Sequence, residues 1–340
     1  MTVSIVIPNL NRQELLMRLL ATIKKQYCPQ KFKLETIVVD NGSTDSSVEV
    51  AREWGAHVIP LGANVGVSKA FNLGIKASHG EFIAVVNNDI ELADDWLTTL
   101  MSKLEDNNIW FATGKTLACA DRNLIDGVGD AMCCGGTTWR LGHGKSDGPW
   151  FEIERKIYFP SATATIFRRA FFERVGLFEE RFFAYLEDVD LGLRALIEKL
   201  PGVYVPLAKA YHHGSATTGT WSHQMIEWMT CNQILLLAKF YSLSMLMHFA
   251  RAITTAQVLW AVMAISRGRG IAWFRGLMRG IGLFGSMRAS STTLRSDGNG
   301  VSSALVATEN QIAQVQQVTN WDTYWKWYFR FRGTTPECLP

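Results

Sequence analysis

Gly80 to Leu92 reads GEFIAVVNNDIEL, and how this stretch is placed decides the fold. Phe82 to Val86 is a short apolar run of the length of a buried strand, and it breaks at once into Asn87, Asn88 and Asp89. A carboxylate at the carboxyl end of a sheet strand stands where open α/β sheets bind ligands, so Asp89 is a candidate to hold a metal ion bound to a diphosphate. Asn and Asp are also ordinary turn residues, and taken alone the stretch leaves a plain turn equally open.

The pattern upstream repeats the same unit. Val3 to Ile7 is β-branched and apolar and ends at Pro8, after which Arg12 to Gln26 carries Leu15, Leu16, Leu19, Leu20 and Ile23 on one helical face. Leu34 to Val39 is a second strand closing on DNGSTD (Asp40 to Asp45), and Ser46 to Trp54 a helix with Ser or Asp near its cap. His57 to Pro60, the loop GANVG and the helix Ser68 to Ala77 complete an alternation βαβαβαβ. Strands without polar interruption in that order predict a parallel sheet covered by helices on both faces. Downstream, Asp94 to Asn107 reads as a helix and Trp110 to Gly114 as a strand. Cys119 to Trp150 is glycine-rich and irregular, the character of a lid or binding loop. Phe159 to Phe167 is apolar again, and Glu187, Asp188 and Asp190 crowd at the start of a helix ending near Leu200. AYHHGSATTG closes this part of the chain.

Composition sets the outer bounds. The chain has 340 residues, 48% apolar and 19% charged, enough for one large domain with an appendage or for two domains. Its net charge of +3 hides an asymmetry. Met1 to Glu227 carries 23 basic and 27 acidic residues, and Trp228 to Pro340 carries 11 and 4. Trp228 to Ser296 holds Lys239, seven Arg and no carboxylate, which asks for an anionic partner. The six cysteines have no zinc-like spacing, and the adjacent Cys133 and Cys134 make a poor disulfide, so a reducing compartment is expected. MTVSIVIPN lacks the features of a signal peptide and reads as the first strand, consistent with a cytoplasmic location.

The ordered set SIVIPNLNR, VVDNGSTD, NVGVSKAFNLG, VVNNDIEL, GLFEERFFAYLEDVDLGLR and YHHGS resembles the family 2 glycosyltransferases, and the spacing is similar to bacterial rhamnosyltransferases of cell-surface polysaccharide synthesis. The resemblance implies a GT-A fold: an α/β, Rossmann-like mixed sheet of nucleotide-diphospho-sugar transferases, with a mainly helical C-terminal extension. It implies a catalytic domain over residues 1–220, with a nucleotide-sugar half to about 115 and an acceptor half from 116, followed by residues 221–340. Around a dTDP- or UDP-sugar it places Pro8, Asn11, Arg12, Asp40, Asn41, Asn64, Gly66, Lys69, Asn87 and Asn88. Asp40 is given the N3–H of the base, with an Asx-turn or helix cap as the alternative use of the same carboxylate. Ala70, Asn72 and Gly74 serve helix packing as readily as a ligand.

Two departures matter. Asn87 stands where the family's DxD motif has its first carboxylate, leaving Asp89 as the main acidic ligand of Mg²⁺ or Mn²⁺. Leu10 follows Pro8 and Asn9 where an aromatic is usual. Glu187 and Asp188 match the ED motif, with Asp188 as the general base of an inverting transfer and Glu187 supporting the site. An acid at a helix amino terminus is also stabilised by the dipole, and Asp190 is assigned to pairing with Arg194. His212 matches the metal-binding histidine of an HxGS-like pattern completed by Gly214 and Ser215, though an isolated histidine is commonly structural.

From Trp228 onward, long apolar stretches are interrupted by Lys239, His248, Arg251 and Gln257, so no transmembrane helix is expected. The glycine-broken, basic segment Arg267 to Arg288 reads as an interfacial helix on anionic lipid, with buried helix packing as the alternative. Ser296 to Gln317 is polar and expected to be mobile, and WDTYWKWYFRFRG (Trp321 to Gly333) is an aromatic-basic tail suited to docking on the core or on lipid. Neither the Q/RxxRW signature nor the membrane bundle of processive synthases is found, which favours single additions. The expectation is transfer of one sugar, taken as L-rhamnose from dTDP-rhamnose, to a polyprenyl-diphosphate-linked glycan at the cytoplasmic face of the inner membrane. No nucleic acid is expected as partner, and the oligomeric state is left open. A catalytically silent nucleotide-sugar-binding or scaffold protein is the alternative.

Overall fold

The computed structural model describes residues 1–26, 32–214, 221–291 and 298–333. Contacts divide the chain into two compact units, residues 1–129 with 142–217, and residues 130–141 with 218–340.

The first unit begins with β1 (Thr2–Asn9), α1 (Gln13–Lys25), β2 (Lys33–Asp40), α2 (Ser47–Glu53), β3 (His57–Pro60), α3 (Val67–Ala77), β4 (Phe82–Val86), β5 (Ile90–Leu92) and α4 (Trp96–Lys103). β3, β2, β1 and β4 lie side by side and parallel, as the alternation predicts, with Ile5 opposite Thr36 and Ala84. Side-chain alternation gives each face its own helices. Val3, Ile5 and Ile7 pack in a core with Leu16, Leu19 and Leu20 of α1 and Trp96, Leu97 and Leu100 of α4. The intervening Val6 and Val39 meet α3, where a Cβ on Gly74 would come within 2.3 Å of Val6 Cγ1. Gly74 is therefore a packing residue. Each fully buried Leu or Ile stabilises by about 1.5–3 kcal/mol.

The rest of the unit extends the sheet with mixed polarity. β6 (Phe111–Ala118) runs four residues past the expected Gly114, and α4 is shorter than expected at both ends. The glycine-rich stretch is not wholly irregular: it contains β7 (Ile125–Gly127), then β8 (Asp130–Met132) and β9 (Thr138–Arg140), which pair with each other. β10 (Arg155–Ile157), β11 (Ala164–Arg168), α5 (Arg169–Val175), α6 (Glu187–Ile197) and β12 (Gly202–His212) follow. β11 is antiparallel between β4 and β6, β12 is parallel to β6, and β5 and β10 are antiparallel to β12.

The second unit combines the β8–β9 hairpin with α7 (His223–Phe240), α8 (Leu243–His248), α9 (Ala250–Ser266), α10 (Gly270–Ala289), α11 (Gly298–Thr319) and α12 (Thr323–Phe331). Ser222 caps α7 by accepting from the Met225 N–H at 3.1 Å. The glycines of α10 do not break it. A Cβ on Gly276 would sit 2.4 Å from the Glu227 carbonyl, and one on Gly280 2.8 Å from Ile234, so these residues let α10 approach α7 closely. Three of the arginines hold backbone carbonyls: Arg251 on Phe331 at 2.9 Å, Arg269 on Trp221 at 2.7 Å and Arg288 on Tyr241 at 2.8 Å. Arg275 and Arg279 are exposed on α10.

One expectation about the carboxyl end is corrected. From Gly298 on, the segment expected to be mobile is the helix α11, because Val301, Leu305, Ile312 and Val315 form a buried stripe among its Gln, Ser and Thr. The aromatic tail is α12, with Trp325 and Tyr328 buried. Glu309, fully buried on α11, pairs with Arg332 and accepts from Tyr328 Oη at 2.5 Å and from the Cys134 N–H at 2.9 Å. Cys119, Cys133, Cys134 and Cys231 are free thiols, and Cys28 and Cys338 lie outside the described residues. Among the described residues no helix is long and apolar enough to cross a membrane.

Candidate active site

The carboxyl ends of β1, β2 and β4 are laced together by polar side chains. Asn88 Nδ2 donates to Asn9 Oδ1 at 2.8 Å, and Asn9 Nδ2 donates to Asp40 Oδ1 at 3.2 Å. Asp40 is buried and also accepts from the N–H groups of Gly42 at 3.2 Å and Ser43 at 3.0 Å and from the Ser43 hydroxyl. The Asx-turn use of this carboxylate is thus realised, and a base N–H would have to share it. Asn88 serves the lacing.

The neighbouring loops are joined in the same way. Asn11 and Arg12 adopt left-handed backbone, at φ 56° and 68°. The Asn11 N–H donates to Ser43 Oγ at 2.7 Å, and its side-chain oxygen accepts from the Thr44 N–H at 2.9 Å. Leu10 to Leu15 and Asp45 bound a concave surface here, with Arg12 exposed and Pro8 buried in β1. Asn41 Oδ1 accepts from the Val65 N–H at 3.2 Å, and Asn64 Oδ1 from the Gly66 N–H at 3.0 Å. Lys69 is exposed on the first turn of α3. Gly66 has φ 89°, and a Cβ there would fall 2.6 Å from the Phe183 carbonyl, which accepts from the Val67 N–H at 2.7 Å.

That contact ties the nucleotide-side loops to the segment leading into α6. Phe183, Tyr185 and Leu186 all have positive φ, at 57°, 70° and 65°, a concentration of backbone strain next to Glu187 and Asp188. Asp188 is half-buried, its Oδ1 accepting from the Val189 N–H at 2.9 Å and its Oδ2 from the Ala162 N–H at 3.2 Å. The Thr163 carbonyl accepts from the Asn87 N–H at 3.0 Å. Ala162 and Thr163 thus connect the Asn87 backbone to the Asp188 carboxylate. Glu187 is buried, and Asp190 pairs with Arg194 at 2.8 Å as the i, i+4 spacing predicts.

The structure brings Asp89 and His212 together. His212 Nε2 lies 3.2 Å from Asp89 Oδ1, and its Nδ1 lies 2.8 Å from Asp126 Oδ2, with all three side chains almost wholly buried. Burial pulls the imidazole pKa down, but the hydrogen bonds to Asp126 and Asp89 outweigh it and raise the value to about 9. A ring held by a carboxylate at one nitrogen and facing a second carboxylate with the other is the arrangement of a carboxylate–histidine–metal group. One carboxylate and one imidazole of fixed orientation fit a divalent cation that takes its remaining ligands from phosphate oxygens and water. Asp126 and Asn9 had no motif to mark them, although Asp126 is the first of the two acids within the glycine-rich IDGVGD. Ser215 lies outside the described residues.

Comparison with known proteins identifies the family and the fold. The chain is 29% identical over 210 residues to an N-acetylglucosaminyl-diphospho-decaprenol L-rhamnosyltransferase of Mycobacterium tuberculosis, covering 55% of this chain and 68% of that protein. It is 30% identical over 228 residues to the O-antigen biosynthesis protein RfbC of Myxococcus xanthus, covering 63% of this chain but 17% of that protein. Among solved structures, GalNAc-T7 with UDP, GalNAc and Mn²⁺ matches at a TM-score of 0.60 and 15% identity, over 86% of this chain and 57% of that one. The mannosyltransferase PcManGT of Pyrobaculum calidifontis, in complex with GDP-Man and Mn²⁺, matches at 0.52 and 15% identity, over 96% and 86%. At such identities the likeness bears on the fold alone, which is the expected GT-A fold with a helical C-terminal region. The model of the family described as glycosyl transferase family 2 matches residues 4–176, more than half of the 340, and the chain therefore belongs to glycosyl transferase family 2 and is a glycosyltransferase.

Proposed function

We propose that this enzyme transfers one sugar, with inversion, from a nucleoside diphosphate sugar to a polyprenyl-diphosphate-linked glycan in cell-surface polysaccharide synthesis. The observation that carries the reading is the buried Asp89–His212–Asp126 group at the carboxyl edge of the sheet. Asp89 and His212 would hold Mg²⁺ or Mn²⁺, which when bound stabilises negative charge on the departing diphosphate. Asp126 fixes the tautomer and direction of His212. Asp188 takes the proton of the acceptor hydroxyl, and its orientation by the Ala162 and Val189 N–H groups keeps it aimed before substrate arrives. Pro8, Asn11, Arg12, Asp40, Asn41, Asn64, Gly66 and Lys69 form the nucleotide side, with Asn87 toward the ribose.

L-rhamnose from dTDP-rhamnose is the donor we assign, supported by the likeness to the mycobacterial rhamnosyltransferase, and the same likeness supports a polyprenyl-linked acceptor. Peripheral attachment to the cytoplasmic face of the inner membrane is supported by α9 and α10. Val258, Val262, Ile265, Ile271, Phe274, Met278 and Ile281 are exposed there beside Arg275 and Arg279.

Titration calorimetry against a panel of nucleotide sugars, with and without Mn²⁺, tests the donor side. The expected result is Mn²⁺-dependent binding, tightest for dTDP-rhamnose and weakened roughly 10–100-fold by Asp89→Asn. Equal Mn²⁺-dependent binding by Asp89→Asn would remove Asp89 from the metal site, and tighter binding of another donor would replace rhamnose.

A further inference from the structure

A second group of metal-ligating atoms stands on the same strand ends, outside the site described above. Glu91 is on β5, Cys119 follows β6 and His213 follows β12. One donor atom from each lies within 4.8 Å of the others. His213 Nε2 is 2.9 Å from Glu91 Oε1 and 3.5 Å from Cys119 Sγ. One ring nitrogen carries either one proton or one lone pair, so it cannot satisfy the carboxylate and the thiol equally. Three donors converging on one point is what a small cation resolves. Around Zn²⁺, with Zn–S near 2.3 Å and Zn–N and Zn–O near 2.0–2.2 Å, tetrahedral ligands stand roughly 3.3–3.7 Å apart. The two His213 separations need only small side-chain adjustments to reach that range, and Glu91 to Cys119, within 4.8 Å, must close by about 1 Å at most.

The backbone holds the three residues in place. The His213 N–H donates to the Asp89 carbonyl at 3.0 Å, and the Cys119 N–H to the His212 carbonyl at 2.8 Å. The side chains of His213 and Glu91 are 23% and 21% accessible, open to an ion yet not free to swing away. Arg18 Nη1 lies 3.8 Å from Glu91 Oε1, but its side chain is 57% exposed, and so long and screened a pair holds Glu91 only weakly.

We propose that Glu91, Cys119 and His213 form a three-ligand site for a borderline-soft divalent cation, Zn²⁺, separate from the harder Asp89–His212 site. Thiolate, imidazole and carboxylate select Zn²⁺ over Mg²⁺ or Mn²⁺, and water completes the shell. Binding forms a Zn–S bond and releases the thiol proton to solvent. The ion joins the ends of β5, β6 and β12, the strands adjoining Asp89 and His212.

The test is Zn²⁺ titration of the metal-free full chain against a chromophoric chelator, followed by Co²⁺, whose thiolate charge-transfer absorption reports sulfur ligation. One Zn²⁺ per chain and the Co²⁺ band are expected. Cys119→Ser and, as a variant with unaltered bulk, Glu91→Gln should each weaken Zn²⁺ at least ~10-fold. Cys119→Ser should also abolish the band, whereas Asp89→Asn should keep both. Absence of Zn²⁺ uptake, Cys119→Ser binding like the parent, or loss of the band in Asp89→Asn would each overturn the proposal; the last would assign the ion to the Asp89 site. Circular dichroism of each variant separates lost binding from lost folding.

Discussion

Asp188 of the first unit and Glu309 of the second use a carboxylate in opposite ways. In the first, Asp188 is half-buried and held by two backbone N–H groups, with no ion pair among the described residues, at the end of a strained segment. In the second, Glu309 is fully buried and satisfied by Arg332, Tyr328 and the Cys134 N–H. The difference teaches how to separate chemistry from architecture: an oriented but unneutralised acid is available to a substrate, whereas a fully paired one holds helices and a hairpin together.

Variants should divide along the same line. The largest effect is expected from Asp188→Asn, which should lower sugar transfer by about 10³-fold, within the range for loss of a general base, while leaving the melting temperature near that of the parent. A large loss of stability instead would make Asp188 another architectural acid. Glu309→Ala should destabilise the fold by about 3–5 kcal/mol in a denaturant titration, because it strands Arg332 in the interior. Near-normal stability in that variant would erase the contrast.

The helices of the second unit give a smaller effect. Arg275→Glu with Arg279→Glu should weaken flotation with anionic liposomes by about 2 kcal/mol or more, at ~1 kcal/mol per basic group near the surface. Unchanged flotation would remove α10 as the contact.

The smallest effect concerns acid stability. Burial raises the Glu35 pKa, but hydrogen bonds from the His79 N–H, Ser4 and the His79 ring outweigh it and lower the value from 4.5 to about 2. A carboxyl depressed on folding contributes stability that is complete above its ordinary value and is lost as pH falls toward the folded one. Glu35→Gln should therefore cost on the order of 1 kcal/mol at neutral pH and flatten the acid limb between roughly pH 4.5 and 2. An unaltered limb would show that these hydrogen bonds do not survive in solution.

Three of the first four strands were legible because Val3 to Ile7, Leu34 to Val39 and Phe82 to Val86 are apolar runs broken sharply by polar ones. Asp89 was singled out by its place at a strand end and His212 by a family motif, and the structure brings them together. Asp126 was not legible, because what gives it meaning is the pairing of β7 with β6, a contact no local pattern encodes. Asn9 was passed over for a similar reason: its partners Asp40 and Asn88 are 31 and 79 residues away. The helix α11 was misread because its buried stripe is sparse and its polar residues dominate composition. The reading of Arg267 to Arg288 as a helix did not show what Gly276 and Gly280 allow a neighbouring helix to do.

The β8–β9 hairpin gives the second unit a divided origin, since residues 130–141 join residues 218–340. During synthesis, Ala131, Met132, Cys133 and Cys134 leave the ribosome well before α11 and α12, against which they become fully buried. In the interval the hairpin is an apolar surface waiting for the end of the chain. Any shortening that removes those helices leaves it exposed for good, so a truncated catalytic fragment should be made with the hairpin replaced by a short polar turn.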